Sequence, residues 1–212
     1  MNKQKLLCIL VFIFTYLQFQ SYSHADVNVQ ELSRIVLKVK DTQNSIYNVY
    51  FFAPKENKSD FYLCGGSEDK VYIGDYGFGI QKQGEKNIKI MPLIIKGYLY
   101  NETKKTVFSV KAKSKTYPDL IVVASQTDCN TRVGKLYYID KGNLILVNNS
   151  LSFVSTPRFN KNNQLETMNY YNMEDLPWVL SMYSLDLKSN SLKFVSKESL
   201  SFEKGKKINN AW

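Results

Sequence analysis

The sequence predicts an all-β fold, and three features carry that expectation. Apolar and polar residues alternate with period two along most of the chain, the alternating runs are rich in β-branched and aromatic residues, and turn residues separate them. With 15 Tyr and 12 Phe the chain carries far more aromatic surface than a disordered chain does, so a packed core is expected. The expected architecture is a β-sandwich or a meander of antiparallel hairpins, with a small propeller-like β repeat as the alternative and at most one or two short helices.

The first 25 residues stand apart from this pattern. Lys3 and Lys5 precede an apolar run from Leu6 to Leu17 that only Thr15 interrupts, and Ser23-His24-Ala25 has small residues at the two positions a signal peptidase reads. The run is shorter than the roughly 20 residues needed to cross a bilayer, so a cleaved export leader is expected over residues 1–25 and a single β-rich domain over 26–212. The protein is therefore expected to be periplasmic or secreted.

Within the domain, Arg34 to Lys40 and Ile46 to Phe52 read as the first strands. Lys70 to Ile73 leads into the glycine-rich stretch Gly74-Asp75-Tyr76-Gly77-Phe78-Gly79, which reads as a tight turn or bulge. A phosphate-binding loop is not expected there, because no helix start follows the glycines. Ile88 to Tyr100 and Thr106 to Lys115 are the next strands, and Leu120-Ile121-Val122-Val123 reads as a buried run. Val27 to Leu37 and Met173 to Tyr183 are helix candidates, the second weakened by Pro177. A strand–turn–strand shape recurs from Leu136 to Val147 and from Met182 to Val195, with a looser third copy from Tyr98 to Val110. The copies start about 38 and 46 positions apart, a spacing shared by propeller blades and by generic hairpins.

Removing the leader removes His24, the chain's one histidine, and Cys8. Triads with an imidazole base and His/Cys zinc sites are then excluded, and no metal or other cofactor is expected. Cys64 and Cys129 remain, and an even pair in an oxidising compartment is expected to form a disulfide. Such a bridge would close a loop of about 65 residues, worth ~3–4 kcal/mol in the chain-entropy view. Ser67-Glu68-Asp69-Lys70 and Ser201-Phe202-Glu203-Lys204 have Ser-x-x-Lys spacing, but the first follows a glycine turn rather than opening a helix, and chance accounts for both. Asp69, Asp75, Asp119 and Asp128 sit near turns, where carboxylates usually cap backbone amides, and a carboxylate-dependent hydrolase is the last alternative. Asn57, Asn101 and Asn148 head glycosylation sequons, which matter only in a eukaryotic secretory route.

Losing Lys3 and Lys5 with the leader takes the net charge from +9 to +7, which draws the protein towards anionic partners. If Val107 to Lys115 alternates as a strand, Lys111, Lys113 and Lys115 share one face and, with Lys104 and Lys105 in the preceding turn, form a basic ridge. Tyr76 and Phe78, set between glycines, are the candidates for an exposed aromatic edge. Nucleic acid is not an expected partner of an exported chain. The expected function is non-enzymatic binding, first as an inhibitor or immunity-type protein blocking an acidic toxin or hydrolase, and alternatively as an envelope-associated protein binding anionic glycan or lipid.

Overall fold

The computed structural model describes residues 28–60, 69–172 and 175–212, and over these the chain is 61% strand and 7% helix, with every strand pairing antiparallel. The expected leader, Cys64, Ser67 and the start of the second helix candidate at Met173 lie outside the described residues. Three antiparallel sheets follow one another along the chain. A four-residue helix, α1 (Val29–Leu32), leads into the first sheet, made of β1 (Ser33–Lys40), β2 (Ile46–Phe52), β3 (Glu56–Ser59), β4 (Val71–Lys82) and β5 (Lys89–Asn101). Strands β2 and β3 share one edge of β4, and β5 lies along the other. The second sheet is β6 (Val107–Val110), β7 (Leu120–Gln126), β8 (Arg132–Asp140) and β9 (Asn143–Phe153). The third is β10 (Ser155–Phe159), β11 (Gln164–Tyr170), β12 (Trp178–Asp186) and β13 (Ser191–Leu200), followed by helix α2 (Phe202–Asn210).

The second and third sheets are the same up-and-down meander made twice, each strand of the third starting about 44–48 residues after its counterpart. Two of the three repeat copies read from sequence are the hairpins β8–β9 and β12–β13. The third, Tyr98 to Val110, is not a hairpin: β5 belongs to the first sheet and β6 to the second.

Alternation sets how the sheets stack. In β7 the residues Leu120 to Ala124 are all buried, and in β8 so are Leu136 to Ile139. Ile121, Val123, Tyr137 and Ile139 point one way, into a cluster with Val49, Phe51, Tyr76 and Phe78 of the first sheet. Leu120, Val122, Leu136 and Tyr138 point the other way, into a cluster with Phe159, Leu165 and Leu185 of the third. Successive side chains of a strand face opposite sides, so an unbroken apolar run is what a strand covered on both faces requires. The second sheet is thus the middle layer, and each of its large side chains contributes about 1.5–3 kcal/mol by burial. The first strand of the middle sheet, β6, touches both β1 and β10, as the inner strands of neighbouring propeller blades do, but the sheets form no closed barrel.

Polar hooks fasten one end of the stack. The buried Asp119 carboxylate accepts the Lys40 N–H (3.0 Å) and the Ala112 N–H (2.9 Å), and its own N–H donates to Lys40 O (2.9 Å). Thr42 donates through its hydroxyl to Asp140 (2.5 Å) and through its N–H to Ile139 O (3.3 Å), tying the β1–β2 turn to the end of β8. Asn163, at the tip of the β10–β11 turn with φ 57°, accepts the N–H groups of Lys113 and Ser114 at 2.9 and 3.0 Å.

Two helix expectations and the turn alternative at Gly74 to Gly79 are corrected. The described part of the helix candidate, 28–37, is helical only at α1, because the β-branched run from Ile35 pairs with β2. The described part of Met173 to Tyr183 is bends and then strand β12 from Trp178, as Pro177 permits. The glycine stretch at Gly74 to Gly79 is not a turn but lies inside β4, where the pairing with β5 shifts register between Gly74 and Tyr76 and between Gly77 and Gly79, as the bulge alternative expected. A Cβ on Gly79 would sit 2.8 Å from Val29 Cγ1, so glycine there is what lets α1 lie against the sheet. The tail around Lys204 is the helix α2, capped by the Ser201 side chain and seated on the third sheet through Gly205, Ile208 and Trp212.

Gly205 is the contact that fixes α2, since a Cβ there would lie 2.0 Å from Trp178 Cγ. Gly205→Ala is expected to destabilise the protein by ~1–3 kcal/mol, because overpacking outweighs the gain in helix propensity. Denaturant unfolding followed by tryptophan fluorescence checks this, and an unchanged midpoint would contradict the seating.

Candidate functional site

The end of the stack opposite the hooks is open. There the face of the middle sheet that turns towards the first sheet runs on beyond its cover, from buried Val123 to exposed Ser125 on β7 and Thr127 just after it, and from buried Tyr137 to Val133 and Lys135 on β8. Strand β5 forms the facing wall with Ile95, Lys96, Gly97 and Leu99. The cleft between them has a volume of about 520 Å³, within the range of small-molecule sites. Tyr98 closes its back by donating from its hydroxyl to Ala124 O (2.7 Å), which joins the two sheets. Burial raises the Tyr98 phenol well above its ordinary range and keeps it a neutral donor.

Two β-bulges shape the cleft. Tyr76 pairs with Ile95 and Gly74 with Tyr98, so Lys96 and Gly97 together oppose Asp75. Gly97 takes φ 57°, a left-handed value that glycine adopts without a Cβ clash, and its N–H is held by the Asp75 carboxylate at 2.8 Å. The bulge brings Ile95 and Tyr98 onto the same face and puts Lys96 at the cleft. On the other wall Gly134 pairs with Leu151 and Leu136 with Asn148, so Lys135 alone opposes Asn149 and Ser150. Across β7 and β8, Val123 stands opposite Lys135 and Ser125 opposite Val133. Neither Lys96 nor Lys135 makes an ion pair or hydrogen bond among the described residues. Two ammonium groups with no ion-pair partner among the described residues thus stand over an apolar floor.

The five ridge lysines do not form one face. Strand β6 ends at Val110, and residues 111–119 form a loop. Lys111 is ion-paired with Asp119 at 3.0 Å and also donates to Lys38 O. Lys113 presents its backbone N–H to Asn163, and Lys115 lies in the exposed turn that follows. Lys104 is ion-paired with Asp69 at 3.5 Å, and Lys105 turns the chain with φ 49°. The alternation had assumed a longer strand, but Asp119 bends the chain back after Val110 by accepting the Ala112 N–H.

Tyr76 and Phe78 form no exposed edge. Both are 0% exposed, and Phe51 stacks on Tyr76 with ring centroids 4.7 Å apart. The Tyr76 hydroxyl donates to Glu56 (2.5 Å), whose carboxylate also pairs with Arg34. Burial, and then that bond, raises the Tyr76 phenol, while the bond to Glu56 raises the Arg34 guanidinium.

Each of the four singled-out aspartates has bonding partners. Asp69 accepts the Asn101 side-chain amide (3.0 Å) and pairs with Lys104, and Asp75 holds Gly97. Asp119 holds the hooks described above. Asp128 accepts the N–H groups of Thr131 and Asn130 (2.6 and 2.8 Å), which lower its pKa below the usual carboxylate range. Among the described residues no three His, Cys, Asp or Glu side chains cluster as metal ligands. Cys129 is disulfide-bonded, but no disulfide pair lies within the described residues and its expected partner Cys64 is outside them. Of the sequon residues, Asn101 is buried with its amide donating to Asp69, Asn57 is exposed on β3, and Asn148 accepts the Ser150 N–H.

Compared with known families, curated proteins and solved structures, the chain matches none.

Asp119→Ala leaves the Lys40 and Ala112 N–H groups and the Lys111 ammonium without their acceptor, and is expected to cost about 2–4 kcal/mol of stability. Thermal or urea unfolding measures it. A loss below about 0.5 kcal/mol, the scale of an ordinary surface change, would mean that the hooks do not hold the stack.

Proposed function

We propose that this chain is an exported, non-enzymatic binding protein whose recognition site is the cleft between β5 and the middle sheet. One observation carries the reading: Lys96 and Lys135, each at a β-bulge, stand at an apolar-floored cleft with no ion-pair partner among the described residues. The net charge of +9 for the whole chain favours an anionic partner in general, and the cleft gives that preference a location. Binding is favoured over carboxylate catalysis because Asp69, Asp75, Asp119 and Asp128 are each engaged in structural bonds. The basic ridge is the weaker candidate, since Lys104 and Lys111 already have acidic partners.

The cleft also bears on which anionic partner is favoured. An inhibitor or immunity-type role against an acidic toxin or hydrolase needs a broad face of about 800 Å² on each partner, and rests here on net charge alone. A concave site with an apolar floor and a basic rim suits the other expectation, an anionic component of the envelope with an apolar part. The Cys64–Cys129 disulfide belongs to the proposal as a staple. Asp69, five residues from Cys64, pairs with Lys104, and Gln126 reaches both Lys104 Nζ (3.4 Å) and Cys129 O (3.4 Å).

The test is retention of envelope components on the immobilised exported protein, comparing Lys96→Glu and Lys135→Glu with Lys197→Glu, an exposed β13 change outside the cleft. Each cleft variant is expected to weaken binding by at least about tenfold, with unfolding midpoints unchanged. Retention that is equal in all three variants would place recognition elsewhere.

A further inference from the structure

The cleft's chemistry narrows what it can hold. Its floor is aliphatic, from Ile95, Leu99, Val123 and Val133, while Ser125 and Thr127 stand at its open end. The one ring among its described lining residues, Tyr98, is buried at the back with its hydroxyl engaged by Ala124 O. Sugars and nucleobases are usually held by stacking on an open aromatic face, which the described residues of this cleft do not offer. A cation is disfavoured by Lys96 and Lys135. A small inorganic anion would satisfy the lysines but leave the aliphatic floor wet. The floor and rim are answered together by a molecule with an apolar body and a charged end. A cleft of about 520 Å³ is of the size that takes a small ligand.

The lysines are also placed to meet such a molecule at its end. Lys135 stands opposite Val123, so its methylene stem can lie along the floor while the ammonium stays at the mouth. Lys96 comes from the facing wall, turned there by the Gly97 bulge. An anionic headgroup between them relieves the repulsion of two like charges, and the chain covers the floor. Burying aliphatic surface is worth about 0.8 kcal/mol per methylene, so the chain supplies most of the affinity and the lysines the selectivity.

We infer that the cleft between β5 and strands β7 and β8 binds a single-chain anionic amphiphile, an aliphatic chain ending in a carboxylate or phosphate. This rests on the cleft being the recognition site.

The test is displacement of a fluorescent fatty acid from the purified exported protein by defined competitors. These are dodecanoate, a lysophosphatidic acid, dodecanol, acetate with inorganic phosphate, and vesicles of diacyl phosphatidylglycerol. Dodecanoate or the lysophosphatidic acid is expected to displace the probe, and whichever is stronger identifies the source as a free acid or a phosphate headgroup. Dodecanol, the small anions and the vesicles are expected to be weaker by at least about tenfold. Lys96→Glu and Lys135→Glu are expected to weaken binding by a similar factor. Ser125→Trp, which fills the cleft from an exposed position, is expected to abolish binding while near-ultraviolet circular dichroism shows the fold intact. Binding that Ser125→Trp leaves unchanged, or dodecanol equal to dodecanoate, overturns the inference. Failure of every amphiphile also overturns it. If the Lys96 and Lys135 variants still lose an envelope partner in that case, the cleft remains a recognition site for a different occupant.

Discussion

The fold depends on one constraint, that the middle sheet has two apolar faces. A sheet exposed on either face would leave Leu120, Val122 and Leu136, or Ile121, Val123 and Tyr137, in water, and burial of each such side chain is worth ~1.5–3 kcal/mol. The sheets on either side are therefore not independent additions. Each supplies the cover without which the middle sheet has no stable form, and each receives its own core in return. The outer faces are handled locally, by Val29 and Ile88 over Tyr50 and Phe52 on the first sheet, and by α2 over Trp178 and Leu200 on the third.

The cleft follows from the same stacking. At one end, Asp119, Asp140 and Asn163 bind loops of different sheets to one another, and the layers are held in contact. At the other end the inward-facing row of the middle sheet turns from Val123 and Tyr137 to Ser125 and Lys135, and the first sheet no longer covers it. The fold is fastened where carboxylates meet backbone amides and open where lysines meet aliphatic side chains. Asp69, Asp75, Asp119 and Asp128 act in structure, whereas Lys96 and Lys135 have no ion-pair partner among the described residues.

Much of this architecture is legible in the sequence. Strand β2 coincides with the run Ile46 to Phe52, β1 and β5 match their runs within a residue or two, and the run at Leu120 marks the strand buried on both faces. The β8–β9 and β12–β13 hairpins appear as a repeat because each joins two alternating strands through a short turn. What alternation misreads are the places where a tertiary contact overrides it. Asp119 ends β6 from nine residues downstream, and pairing with β2 holds Ile35 to Lys40 extended directly after α1. The candidate site was least legible, because Lys96 and Lys135 lie far apart in the chain and only the bulges and stacking bring them together. Two signals were nonetheless present: a lysine in the inward row Val133-Lys135-Tyr137, and a Lys-Gly pair interrupting the apolar strand from Ile88 to Tyr100. Both look like ordinary solvated positions until the layer above them is known.

The central claim is that the middle sheet is the most protected layer and that the outer sheets depend on it. Native-state hydrogen exchange resolved by residue tests this most directly. Amides of Leu120–Gln126 and Arg132–Asp140 are expected to exchange only through global unfolding, while β13 and the open end of β5 exchange through smaller openings. First- or third-sheet amides that stay protected after those of β7 and β8 have exchanged would contradict the account, because an outer layer would then be stable without the sheet it is supposed to need.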